Sequence, residues 1–464
     1  MAHIHGQSSG PINDACRSIN PATLALTGTT KRDQRTFVEC KSGKTFPLYN
    51  PHTEEKVTDV SDAYPEDVDA AVRAAQRAFP VWSQLSTFQR VEPCLRLAEL
   101  IERDQNELMR LDALTMGTPI ALGPGHIQMA VTYIKYVCGV IHDIHGETTL
   151  HTPGYLGLTL LQPYGVCAGI AAWNASVLFF CYKTVSCVLA GNTIISKSSE
   201  KAPLVAIRLA ALCVEAGFPP GVINVITGFR HISGAALASH MDIRKISFTG
   251  STAAGKLVAA AAAKSNLKSV VLENGGKNAA VVFEDADLAK LKQFASIKIG
   301  DPTDPANNYG PQADKTQFEA VMRYINKCRE AGAQLVLGGE RASQRGYHIQ
   351  PTVFVNVPED SEIMKKEIFG AVAAIQSFAT EEEVIACCNN TDYGLHASVF
   401  TRDTSRAIRV AKAFETGLVS VNCASPMHVY DLCFGGYKGS GLGRESGRQG
   451  LESWFEVKSV TMAV

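Results

Sequence analysis

Between residues 166 and 272, short apolar runs alternate with longer segments of helical spacing, and this alternation constrains the fold more than any other feature of the chain. The runs are Val166 to Ala172, Thr193 to Ser196, Val222 to Thr227, Lys245 to Phe248 and Ser269 to Leu272. They are rich in β-branched residues and too short for helices, so they read as buried strands. The segments Phe179 to Leu189, Ala202 to Glu215, His231 to Ser239 and Thr252 to Ala263 lie between them, each long enough for a crossover. Repeated βαβ units of this kind predict an α/β fold built on a doubly wound parallel sheet. Upstream, Pro65 opens a helical stretch in which Val68, Ala71, Val72, Ala75 and Phe79 recur on one face. Residues 87 to 116, with Leu95, Leu97, Leu100, Ile101 and Leu108 among charges, read as a longer amphipathic helical region.

In such a sheet, ligands bind beyond the carboxyl ends of the strands, so the strand-to-helix loops are where chemistry is expected. The loop Thr249-Gly250-Ser251-Thr252 follows a strand and opens a helix. Its free N–H groups and positive dipole end suit a phosphate, but it lacks the dinucleotide glycine fingerprint and is equally an ordinary turn. Asn174, after Trp173, is either a donor to a developing oxyanion or a cap of the next helix. Lys197 and Glu200 are either ribose contacts or a solvated charge pair. Glu273 ends the last run and precedes Gly275 and Gly276; it is either a tied-down structural acid or a general base.

Composition narrows the class. With 464 residues and 46% hydrophobic content, the chain can bury a large core, and its size suggests more than one domain. Forty-four basic and 45 acidic residues leave a net charge of −1 with no basic tract, so nucleic acid is not an expected partner. No signal peptide or membrane-length apolar run is read. The 13 cysteines are scattered without a Cys-x-x-Cys motif, so reduced thiols, a cytoplasmic location and no metal site are expected.

A series of ordered motifs then identifies a family. They are Phe218-Pro-Pro-Gly221-Val-Ile-Asn224, the Phe-Thr-Gly-Ser-Thr loop, Leu272-Glu273-x-Gly-Gly-Lys277, Gly310-Pro-Gln312, Glu367-Ile-Phe369-Gly370 and Phe434-Gly-Gly-Tyr-Lys438-x-Ser-Gly. From about residue 47 onward the chain resembles the NAD(P)-dependent aldehyde dehydrogenases, most of all the tetrameric group acting on retinal and aliphatic aldehydes. The resemblance implies a Rossmann-like coenzyme domain over residues 1–144 and 164–275. It implies a smaller α/β catalytic domain over 276–447 and a β oligomerisation arm over 145–163 and 448–464, hence a homo-dimer or homo-tetramer. By the same resemblance Glu273 is the general base and Asn174 the oxyanion donor. Trp173, Lys197, Glu200, Gly250, Ser251, Glu367 and Phe369 are expected around the cofactor, NAD, with Glu200 disfavouring a 2′-phosphate. Ala175, Tyr182, Cys433 and Phe434 are expected around a small carbonyl substrate.

One element of the pattern is absent. Relatives carry a nucleophilic cysteine in a Gly-Gln-x-Cys stretch, whereas here Asp285-Ala-Asp287-Leu-Ala-Lys290 runs directly into Leu291 and on to Pro302. Alignment of the flanks implies that roughly 35 to 40 residues are missing near residue 290, to within a few positions. Cys433, Cys423 and Cys181 are the candidate substitute thiols. Other departures sit close by: Asn274 after the base, Ala371 for a proline, and Ala175-Ser176 for Phe-Pro. Three readings follow: an impaired aldehyde dehydrogenase, a same-fold enzyme doing acid–base or cyclisation chemistry on a bulky carbonyl compound, or a non-catalytic nucleotide-binding protein.

Overall fold

The five apolar runs form five parallel strands: β1 (Val166–Ile170), β2 (Thr193–Lys197), β3 (Ile223–Ile226), β4 (Lys245–Thr249) and β5 (Ser269–Glu273). They lie side by side in the order β5-β4-β1-β2-β3. The order reverses at β1, which makes the carboxyl edge beside it the switch-point crevice of a doubly wound sheet. β1, β2 and β3 are buried along their whole length, as parallel strands must be when helices cover both faces. The crossovers are α1 (Ser176–Leu189), α2 (Pro203–Glu215) and α3 (Thr252–Lys264), together with a segment after β3. In this computed structural model, residues 23–26, 37–287, 297–424 and 428–464 are described. The joint expected at Lys290 lies outside them.

Three elements differ from the sequence reading. The helical region at 87–116 is two helices, Thr87–Arg103 and Gln105–Met116, which meet at Asp104. Asp104 leaves helical geometry at φ −95°, ψ 15°, and Arg103 and Arg208 bond its carboxylate. The segment read as a helix from His231 begins with a wide π-type turn, Arg230–Gly234, and only Ala235–Ser239 is α-helical. A long helix, Gly123–Val140, is an element that the sequence reading does not contain; Pro124 supplies a pre-set φ in its first turn. It packs against α1 in the main core, where Tyr133, Ile134 and Val137 are fully buried.

A sixth strand, β6 (Gly441–Leu442), joins the parallel sheet antiparallel to β5 and aligns Gly441 with Glu273. Two smaller sheets follow in the second half. One pairs Ala279–Val282, His396–Phe400 and Leu418–Val421, all parallel; the other pairs Gln334–Leu337, Thr352–Val355 and Val372–Ile375. The expected extended runs are strands: Tyr155–Pro163 pairs antiparallel with Phe455–Ala463 along its full length. Among the described residues, no helix is long and apolar enough to cross a membrane.

Candidate active site at the carboxyl edge of the parallel sheet

Glu273 is the last residue of β5, flanked by Thr249 of β4 on one side and Gly441 of β6 on the other. Its backbone carbonyl accepts from the Gly250 N–H at 3.0 Å, which fixes the turn into α3. Its side chain is 3% exposed, and both carboxylate oxygens are buried without a hydrogen-bond partner. Burial, reinforced by the nearby Glu445 carboxylate, pushes its pKa well above the usual carboxylate range, while Lys183 and Arg444 pull the other way. A structural acid would be expected to have its oxygens satisfied. Here neither oxygen is.

The surroundings are built by close backbone approach. A side chain at Gly435 would meet Glu273 Oε1 at 3.0 Å and the Arg444 side chain at 2.7 Å, so only glycine allows the 434–436 loop to close over the acid. Behind Glu273, Lys183 of α1 donates to Glu445 Oε1 at 2.6 Å and to the Ser247 hydroxyl at 2.8 Å, and Ser247 also bonds Glu445. Glu445 is held in turn by paired backbone bonds with Phe434. The sequence reading missed Lys183, Ser247, Arg444 and Glu445. The Lys183–Glu445 pair spans 262 residues, and no local pattern marks either end.

The residues expected around a cofactor lie on neighbouring loops of the same edge. Ser251 is the N-cap of α3, its hydroxyl accepting from the Ala254 N–H at 3.3 Å. Gly250 adjoins it, on the turn that leaves β4. Lys197, at the end of β2, is not a solvated charge: it is 1% exposed, donates to the Ser198 carbonyl at 3.0 Å, and burial lowers its pKa to about 8. Glu200 follows on a half-buried turn. The Ser198 and Thr249 hydroxyls, at the ends of β2 and β4, are buried without partners, so this edge keeps unspent polar groups for a polar ligand.

Glu367 is raised in pKa by burial; it accepts from the Gly276 N–H at 3.3 Å, and Lys277 stands nearby. Phe369 holds a left-handed φ of +56°, rare for an aromatic, and its ring meets Trp173 edge-on at 4.8 Å. The Lys201 ammonium lies over the Trp173 ring, 5.1 Å from its centre. Thus Trp173 and Phe369, nearly 200 residues apart in sequence, are brought together.

Asn174 is exposed, and the N-cap of α1 is Ala175, so the capping alternative for Asn174 falls away. Ser176 fastens the start of α1 by donating to Asp112 at 3.0 Å. Burial raises the pKa of Asp112, against the hydrogen bonds from Thr118 and Ser176. Tyr182 is nearly buried, its ring 4.0 Å from that of Tyr133. Of the candidate thiols, Cys181 is fully buried with its pKa pushed up by burial, Cys433 is half-buried and Cys423 is exposed. Phe434 is half-buried beside Gly435.

An orphaned acid at the carboxyl edge of a doubly wound sheet, with buried polar groups along the same edge, makes a site open to a polar ligand. The chain belongs to the aldehyde dehydrogenase family, whose model matches residues 37–294 and 290–460. It is 40% identical over 462 residues to an aldehyde dehydrogenase of Emericella nidulans, covering 91% of this chain and 93% of that protein. It is 39% identical over 465 residues to retinal dehydrogenase 2 of Gallus gallus, covering 91% and 90%. Among solved structures, it matches the NAD+ complex of aldehyde dehydrogenase from Bacillus cereus with a TM-score of 0.92 at 34% identity, over the full length of both chains.

Proposed function

We propose that this chain carries the site of an NAD-dependent aldehyde dehydrogenase, catalysing aldehyde + NAD + water to carboxylic acid + NADH, in a form strongly impaired by the absence of the nucleophilic cysteine. The observation that carries this reading is Glu273: a buried, unpartnered carboxyl with a raised pKa at the ligand-binding edge of the sheet. NAD, when bound, accepts the hydride. The buried polar groups at the ends of β2 and β4 and the capped start of α3 suit it, with Lys197 and Glu200 toward the adenosine ribose and Ser251 and Gly250 toward the pyrophosphate. Glu367, Phe369 and Trp173 would border its nicotinamide end.

Asn174 donates its amide to the oxygen that gains charge when a nucleophile adds to the carbonyl. Glu273 takes the proton from the water that ends the reaction, and the desolvated setting keeps its pKa high enough for that task. What the chain lacks is the first addition. An aldehyde carbonyl has no hydride to give until a nucleophile has added to it. Cys181 is sealed in the core, and removal of a covalent nucleophile costs roughly a million-fold in turnover elsewhere. Ala175, Tyr182, Cys433 and Phe434 line the approach for the carbonyl substrate in this reading.

The same reading divides the chain into a coenzyme domain (1–144 and 164–275), a shortened catalytic domain (276–447) and an arm made of the 145–163 and 448–464 segments. The paired edge strands of that arm support a homo-dimer or homo-tetramer, and the reduced cysteines a cytoplasmic location. The test is NADH formation from a panel of aldehydes by the purified chain, beside a version with a relative's Gly-Gln-x-Cys segment inserted after Lys290. Negligible turnover in the first and recovery in the second is the expected result. Equal, robust turnover in both, lost in the first on Cys433→Ala, overturns it.

A further inference from the structure

The adenosine end of the proposed cofactor site holds a cation that the functional reading does not use. β3 ends at Ile226, and the chain then passes through Thr227 and Gly228 to Phe229 and Arg230, on the same carboxyl edge as Lys197. The backbone there is fixed. Gly228 takes a φ of +143°, and a side chain on it would meet Asp62 Oδ1 at 2.8 Å, so glycine is what lets the loop close on that carboxylate. The Phe229 N–H donates to the same oxygen at 3.1 Å, the Phe229 carbonyl accepts from the Ser233 hydroxyl at 3.2 Å, and the Phe229 ring packs on Phe46 with centres 4.9 Å apart.

Arg230 follows this anchored residue, yet its own side chain is exposed and, among the described residues, makes no hydrogen bond or ion pair. It stands beside Lys197. The position that a Cβ on Gly234 would take lies 3.8 Å from Lys197 Cε and 3.9 Å from Arg230 Cβ, so the wide turn Arg230–Gly234 brings the two side chains to one small space. The balance of charge decides what this corner can hold. Glu200 and Asp62 both act on the Lys197 ammonium, so one cation faces two carboxylates. Without Arg230 the corner is net negative and repels a phosphate; with it the charges balance. A guanidinium that has no carboxylate of its own keeps its planar fork of donors free for an oxyanion, and in dinucleotide sites of this architecture an arginine near the ribose accommodates a 2′-phosphate.

We propose that Arg230 is a second determinant of cofactor choice, its guanidinium binding the 2′-phosphate of NADP, so that this chain takes NADP as a weaker alternative to NAD in spite of Glu200. The assignment rests on the reading that NAD lies along this edge with Lys197 and Glu200 toward its adenosine ribose. NAD carries a hydroxyl where NADP carries the phosphate, so Arg230 acts on one dinucleotide and not on the other.

Titration calorimetry of the full chain with NAD and with NADP tests this in the parent, Arg230→Ala and Arg230→Lys. The parent should bind both, NAD more tightly. Arg230→Ala should weaken NADP by at least about tenfold and NAD by less than about twofold, and Arg230→Lys, which keeps the charge but loses the fork, should fall between. Retained NAD binding also shows that each variant is folded. Equal losses for the two dinucleotides, no loss for either, or no measurable binding of NADP by the parent overturns the assignment. Turnover separates it from the functional reading. NADP binding indifferent to Arg230→Ala, with NADH formation recovered in the segment-restored chain, refutes the assignment alone, whereas an NADP-specific loss without recovered turnover refutes the functional reading alone.

Discussion

Ser176 donates its hydroxyl to the Asp112 carboxylate at 3.0 Å, and this buried contact pins the start of α1 to the helix Gln105–Met116. Ser176 also reaches the Trp173 carbonyl at 3.3 Å, so the Trp173-Asn174-Ala175 turn is tied down at its far end. Asp112→Ala removes this acceptor and leaves the Ser176 hydroxyl only its longer bond to the Trp173 carbonyl, which should lower stability by about 1 kcal/mol. Asp112→Asn, which still accepts, should cost less than half as much. Denaturant unfolding of the two variants checks the order.

Glu273 gives a pH dependence of defined sign. Its pKa in the folded chain lies above the ordinary 4.5, so the folded state holds the proton more tightly than the unfolded state. The stability that goes with the protonated acid is fully present below about pH 4.5 and is lost as pH rises through the folded value. Glu273→Gln, neutral at every pH, should therefore melt higher than the parent, with a difference that is small near pH 4.5 and widens with pH to about 1 to 3 kcal/mol. Thermal melts across that range test it; a difference independent of pH would remove the case for a perturbed acid.

Lys183 and Glu445 form a buried ion pair at 2.6 Å, with Lys183 only 1% exposed. Removing one partner of such a pair strands the other charge in the core. Glu445→Ala should destabilise the chain by about 3 to 5 kcal/mol, and the double change Lys183→Met, Glu445→Leu should recover most of that loss. Chemical denaturation of the three proteins decides between a paired charge and a merely adjacent one.

Glu200 lies three residues beyond the buried Lys197. A carboxylate beside the adenosine ribose repels a 2′-phosphate, so the chain should bind NAD in preference to NADP. Glu200→Gln should narrow that preference by about tenfold, equivalent to ~1.4 kcal/mol. Titration calorimetry with both dinucleotides measures it, and tighter NADP binding by the unaltered chain would contradict the assignment.

Much of this molecule was legible in its sequence because the relevant information is local. Burial on both faces demands short β-branched runs, crossovers demand helical lengths between them, and so β1 to β5 and α1 to α3 could be read within a few residues of their ends. The expected strands at 148–161 and 457–464 were equally plain, and they pair as Tyr155–Pro163 with Phe455–Ala463. Local signals misled where one residue's tertiary partner overruled them: Asp104, bonded by two arginines, divides one helical region into two.

What the sequence by itself determined was the fold class, the family and the position of Glu273 at the end of a strand. It left open whether that acid was structural or chemical, because burial and hydrogen bonding depend on groups far away in the chain. Only the tertiary structure decided that both its oxygens lack partners, since Lys183 of α1 and the stretch from Gly435 through β6 to Glu445 enclose it from two separate parts of the chain. Strand propensity is a property of each segment, but whether a strand's second edge finds a partner is settled only when the sheets assemble.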